Sequence, residues 1–157
     1  MDLDSVRRLL ERGEEEIENN SIDAVSSKTE FFDHLTLQGI QIDVIEPGRI
    51  VCSMKVPRCL VNSDDNFLHG GVTATLVDIV GALTMYTVGA QTTGVSVEIN
   101  VTYLDAAFPD EEIEIVGKVL RVGKAIGVAS VELRNKKTGK IFAQGRHTKY
   151  LAVSSKL

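Results

Sequence analysis

The sequence predicts an α+β fold in which one long helix packs on an antiparallel sheet. Two observations carry this. Strand-like runs fall as a pair, then a single long helical run, then four more strands, and that helical run carries only one charge. At 157 residues with 43% hydrophobic side chains, the chain is the size of a single domain, residues 1–157, with a real core.

Leu3 to Ile17 sets Val6, Leu9, Leu10 and Ile17 among charges, the pattern of a short amphipathic helix within residues 1–20. Phe31, Phe32 and Leu35 mark another short helical or irregular piece. From Leu37 to Val56 apolar and polar residues alternate around Glu46-Pro47-Gly48-Arg49, which predicts a hairpin. Gly70 to Val88 is the long helix. Strands follow at Val95–Leu104, Glu112–Val122 and Ala125–Arg134, then at Lys140–Ala152 after the turn Asn135 to Gly139. Residues 152–157 are a tail, and no repeat, low-complexity tract or linker interrupts the chain.

Between His69 and Glu98 the only fixed charge is Asp78, and no Lys or Arg occurs from Cys59 to Gly117. A helix with one watery face shows Lys and Glu there, so this one is expected to be enclosed on nearly all sides. Val72, Leu76, Ile79, Val80 and Leu83 form its sheet-facing stripe. Asp78 falls opposite, beside Ala74, Thr75, Gly81 and Ala82, small residues that leave room for a ligand or another chain. The Asp, the threonines and the strand pattern argue against a membrane span.

The run Asn66 to Asp78, NFLHGGVTATLVD, opens this helix with two glycines, each costing about 1 kcal/mol relative to alanine. Two readings stand. The glycines let a ligand approach the first turn, where free N–H groups and the dipole favour an anion or oxyanion. Otherwise they form a plain tight turn, with Asp78 a buried carboxylate satisfied by hydroxyls. In the strand after Gly94, Ser96 leads the polar side of an alternation with Glu98, Asn100 and Thr102.

A net charge of −5 argues against nucleic acid or an anionic membrane as the main partner. Cys52 and Cys59 lack zinc-spaced companions, so they are expected as reduced core thiols, with neither disulfide nor metal. Residues 1–5 show no signal or transit peptide. The final Ser155-Lys156-Leu157 matches a peroxisomal address, which predicts an import receptor as partner and a peroxisomal location, otherwise a cytoplasmic one.

The run Asn62, Leu68-His69-Gly70-Gly71 and Asp78, then Gly94 to Tyr103 and Gly145-Arg146-His147-Thr148-Lys149, resembles the hotdog-fold acyl-CoA thioesterases of the 4-hydroxybenzoyl-CoA thioesterase superfamily. It resembles in particular the subgroup of the phenylacetate-pathway enzyme and the mammalian long-chain acyl-CoA thioesterase. The resemblance covers Phe31 to Leu151. It implies a long central helix wrapped by a curved antiparallel sheet of about five to six strands, here with an extra N-terminal helix. It also implies dimers with active sites across the interface, pairing into homotetramers.

By the same resemblance the Gly70 amide polarises the thioester carbonyl, and Asp78 is the general base or nucleophile. Asn62 positions the carbonyl or the water if Ser63-Asp64-Asp65-Asn66 contains an insertion, with Asn66 as the substitute otherwise, and Ser96 holds the water. His69 is either a hydrogen-bond donor near the site or a structural cap. Arg121, Lys124, Arg146 and Lys149 are candidates for the coenzyme A phosphates. No cofactor is required for such chemistry. A Ser-His-Asp triad is not expected, since G-x-S-x-G is absent and the three His residues lie in unrelated stretches.

The implied substrate is a medium- to long-chain fatty acyl-CoA, with an aromatic thioester (dihydroxynaphthoyl-, phenylacetyl- or hydroxybenzoyl-CoA) as runner-up. A hotdog hydratase or a non-catalytic acyl-CoA binding protein are the rivals from other classes. The hydratase motif with His-Pro is missing, and a mere binder has no use for Asp78.

Overall fold

The computed structural model describes residues 3–4, 7–8, 31–64, 66–92 and 94–151. Leu3, Asp4, Arg7 and Arg8 are helical. The rest of the expected N-terminal helix and the Ser155-Lys156-Leu157 tail lie outside the described residues.

A short helix α1 (Phe31–Thr36) precedes the hairpin of β1 (Gln41–Glu46) and β2 (Arg49–Lys55). Its two-residue turn is Pro47-Gly48, where Gly48 takes φ 81°, a left-handed value that glycine adopts without strain. A single 3-10 turn (Arg58–Leu60) leads to the long helix α2 (Gly70–Tyr86). Then come β3 (Val95–Tyr103), β4 (Glu112–Val122), β5 (Ile126–Asn135) and β6 (Ile141–Tyr150). The six strands form one antiparallel sheet in the order β1-β2-β4-β5-β6-β3, which leaves β1 and β3 as edges.

Helix α2 packs across one face of the sheet against β2 to β6. Val72, Leu76, Val80 and Leu83 are buried and Ile79 packs against the core at its margin, the stripe that the helical period predicts. Gly81, expected on the opposite side, is instead buried against His147 and Val131. A methyl there would sit 3.1 Å from His147 Cβ, so the glycine lets β6 come close to the helix without crowding the ring. Ala74, Thr75, Asp78 and Ala82 remain partly exposed, so within one chain α2 is covered by the sheet and open along the Asp78 side. Cys52 is a core thiol, which burial and then the Asp43 charge push up to about 12. Cys59, expected in the core, is exposed on the 3-10 turn.

Candidate active site

His69 caps α2: its backbone is extended and its Nδ1 accepts the Gly71 N–H at 2.9 Å. The cap satisfies Gly71 and leaves the Gly70 N–H with no acceptor among the described residues. The Gly70 carbonyl accepts from Tyr103 Oη at 2.9 Å, and the Tyr103 ring lies under the glycine at van der Waals distance. Asn62 latches the preceding loop: its N–H donates to the Phe67 carbonyl at 2.9 Å, and its side-chain oxygen faces the Phe67 N–H. Asn66 stands exposed in the same loop at φ 54°. A mainly apolar cavity of about 380 Å³ adjoins Gly70, walled by Phe67, Leu68, Tyr103, Ala106, Ala107 and Phe142.

Asp78 lies two turns further along α2 with its side chain 43% exposed. It meets two residues of the sheet. Ser96 Oγ is 3.5 Å from its carboxylate, at the limit of a hydrogen bond, and His147 Nε2 is 3.3 Å away. Ser96 is here because β3 bulges. Ser96 pairs with Lys149 and Glu98 with Thr148, so Val97 is an extra residue. The bulge resets the alternation: Glu98, Asn100 and Thr102 line the outer face, while Ser96 turns toward the helix. The sequence reading that put Ser96 on one face with those three is thereby corrected.

His147, which the sequence reading passed over, is completely buried. Its Nδ1 lies 3.1 Å from the Asp78 backbone carbonyl and its Nε2 2.9 Å from Ser96 Oγ. A carbonyl only accepts, so Nδ1 carries the proton. Burial pushes the imidazole below its usual value, with the Asp78 charge pulling the other way and Lys149 assisting the burial. The ring is therefore neutral near pH 7, and its Nε2 accepts the Ser96 hydroxyl. The Ser96 hydroxyl is shared between His147 Nε2 at 2.9 Å and the Asp78 carboxylate at 3.5 Å, and the neutral ring gives the carboxylate no hydrogen. The expectation that the histidines lie in unrelated contexts fails for His147. Even so, Ser96 and Asp78 both sit at Nε2, whereas a triad needs the carboxylate at Nδ1.

The four cations proposed for coenzyme A are not brought onto one surface. Arg121 and Lys124 are exposed at the β4–β5 turn, and Arg146 lines a polar groove of about 840 Å³ on the outer face. Lys149 is buried on the same side of β6 as His147. Among the described residues no group of His, Cys, Asp or Glu could hold a metal ion, and no helix is long and apolar enough to cross a membrane.

Residues 65–142 match the thioesterase superfamily. The chain is 42% identical over 127 residues to acyl-coenzyme A thioesterase 13 of Mus musculus, covering 81% of this chain and 89% of that protein. The crystal structure of zebra fish thioesterase superfamily member 2 superposes with a TM-score of 0.79 at 35% identity, over 97% of this chain and 99% of that one. A hypothetical thioesterase protein from Streptococcus pneumoniae, solved with coenzyme A, has a TM-score of 0.67 at 25% identity, over 72% and 85% of the two chains. The chain belongs to the thioesterase superfamily, with the hotdog fold, and is a thioester hydrolase.

Proposed function

We propose that this chain hydrolyses medium- to long-chain fatty acyl-CoA, using Asp78 as the base or nucleophile and the Gly70 N–H as the oxyanion donor. The carrying observation is the half-exposed Asp78 carboxylate on α2, held beside Ser96 Oγ at 3.5 Å and His147 Nε2 at 3.3 Å. As base it takes a proton from water that Ser96 helps to hold, the oxygen attacks the thioester carbon, and the carbon–sulfur bond breaks to release the thiol. As nucleophile it attacks that carbon itself, and water then cleaves the resulting anhydride. Asn62, latching the loop before α2, orients the carbonyl or the water. The relatives named for acyl-coenzyme A and coenzyme A support the thiol half of the substrate. The apolar cavity beside Gly70 supports an aliphatic acyl half, and its size suits a small-molecule site.

Two chains build each site on this reading. Gly70 and Asp78 belong to one unbroken helix, so eight residues at ~1.5 Å each separate them by roughly 12 Å, too far for one carbonyl. The free edge β3 exposes Val95 at 69%, Val97 at 62% and Ile99 at 38%, an apolar edge that a second copy would cover. Such dimers pair into the expected homotetramer.

The 2.9 Å approach of Ser96 Oγ to His147 Nε2 favours a second reading, with Ser96 as nucleophile and His147 as its base. Free-thiol release over a panel of aliphatic and aromatic acyl-CoAs, with Asp78→Asn and Ser96→Ala, decides between them. Asp78→Asn should be inactive and Ser96→Ala merely slowed, with aliphatic thioesters preferred. An acyl group trapped on Ser96 would overturn the first reading, and preference for an aromatic thioester would overturn the fatty acyl assignment.

A further inference from the structure

Gly70 and Gly71 open α2 with two residues whose backbone turns freely, since glycine lacks the Cβ that limits φ and ψ. A hydrogen-bond donor for an oxyanion needs the opposite, a direction fixed before the substrate arrives. Side chains beside the first turn supply it. The planar peptide unit joining the two glycines is held at both ends: its oxygen, the Gly70 carbonyl, accepts from Tyr103 Oη at 2.9 Å, and its N–H, that of Gly71, donates to His69 Nδ1 at 2.9 Å. A methyl on Gly71 would come within 3.0 Å of that nitrogen, so the glycine gives the cap its room. The preceding peptide carries the Gly70 N–H and is held at its oxygen, where the His69 carbonyl accepts from the Val72 N–H at 2.9 Å and the Thr73 N–H at 3.2 Å. The torsions that could still swing the Gly70 N–H are those of Gly70 itself, and the grip on its carbonyl stops them.

Tyr103 is not a core residue. It ends β3, the free edge of the sheet, with 55% of its surface exposed, yet its hydroxyl reaches back 33 residues to this carbonyl. A carbonyl has two lone pairs, so the bond adds to the helix ladder without replacing it. The Tyr103 ring meanwhile lines the apolar cavity beside Gly70. We propose that Tyr103 is a positioning residue for thioester hydrolysis: its hydroxyl, together with the His69 cap, clamps the Gly70–Gly71 peptide and so aims the Gly70 N–H. The proposal rests on the reading of that N–H as the oxyanion donor.

The test measures kcat and KM of the full chain on lauroyl-CoA, with thermal melts, for Tyr103→Phe, His69→Ala and the two together. Tyr103→Phe keeps the ring on the cavity wall and loses only the hydroxyl, so kcat should fall about tenfold while KM and Tm hold. His69→Ala should lower kcat likewise, and His69→Asn, which restores an acceptor at the cap, should recover it. Because one released end already frees the peptide, the double variant should lose about as much as either single one, not the product of about a hundredfold. Losses that multiply in full would overturn the clamp. So would an unchanged kcat in Tyr103→Phe, or a KM increase that carries the whole loss and makes the hydroxyl a substrate contact. A fall in activity that follows a lowered Tm in Tyr103→Phe would make the bond merely structural and also overturn it. Gly70→Pro, assayed alongside, isolates the underlying reading. If it stays active, the Gly70 N–H is no donor whatever Tyr103 does; if it is inactive while Tyr103→Phe works at full rate, the clamp alone fails.

Discussion

His147 meets Asp78 at two points: its Nδ1–H donates to the aspartate's backbone carbonyl at 3.1 Å, and its Nε2 lies 3.3 Å from the carboxylate. The first contact ties β6 to the middle of α2, and the second edge of the ring takes the Ser96 hydroxyl. His147→Asn separates these roles, because an asparagine amide can reach the position of Nδ1 but leaves nothing at Nε2. Its kcat should fall about tenfold for the lost partner of Ser96. His147→Ala should add a melting loss equivalent to roughly 1–3 kcal/mol, for the vacated space and the orphaned carbonyl. Steady-state kinetics and thermal melts of the two variants check this.

Burial lowers the pH at which His147 takes a second proton, so the sign of its effect on stability is fixed. The unfolded chain protonates near the ordinary imidazole value of 6.5, before the folded chain does. The unfolded state thus binds more protons just below that pH. His147 contributes its full stabilisation above 6.5, and that contribution declines as pH falls toward and through the lower folded value. Urea unfolding at pH 7.5, 6.5 and 5.5 should show wild type losing more stability than His147→Asn over the acid step. Equal slopes would place the charged ring comfortably inside the fold.

The strands and helix were legible because their apolar runs are bounded by turn residues and differ clearly in period, and Pro47-Gly48 announced its own turn. The site was legible only in part. Gly70, Asp78 and Ser96 stood out within one stretch, through glycines, a lone charge and a hydroxyl. Ser96 was nonetheless assigned the wrong face, since a one-residue bulge at Val97 leaves no mark in a hydrophobic alternation. His147 was missed because its partners are 69 and 51 residues away in sequence. Its signal was the polar pair His147 and Lys149 at alternate positions of a strand whose other helix-facing residues are apolar or glycine. Gly81 was a second unread signal, a glycine within a helix with no turn to explain it.

Gly81 keeps His147 in place. An added methyl would lie 3.1 Å from His147 Cβ and 3.2 Å from Nδ1, tighter than ordinary van der Waals contact, so the ring must give by a few tenths of an ångström. Gly81→Ala should cost about 1–3 kcal/mol by overpacking, despite alanine's better helix propensity. Displacement of the ring should lower kcat while KM holds, since the cavity at Gly70 is untouched. Chemical denaturation and kinetics give both readouts. A more stable, fully active Gly81→Ala would show that the ring can shift without consequence.

The separation of Gly70 from Asp78 along α2 makes the strongest demand. Asp78→Asn removes the carboxylate's base or nucleophile role, and Gly70→Pro removes the amide hydrogen. Proline fits there because Gly70 is the first helical residue and His69 before it is extended, at φ −61° and ψ 132°. Each variant alone should be nearly inactive, with loss of the donor costing about 3 kcal/mol. Refolded together in equal amounts, about half of the dimers should be mixed, and each mixed dimer should hold one intact site and one doubly damaged site. Free-thiol release should then return to roughly a quarter of wild type. Mixed dimers without recovered activity would mean that the donor and the carboxylate do not meet across chains. Gly70 would then have to serve a different step, because the helix that carries both residues cannot bend one onto the other.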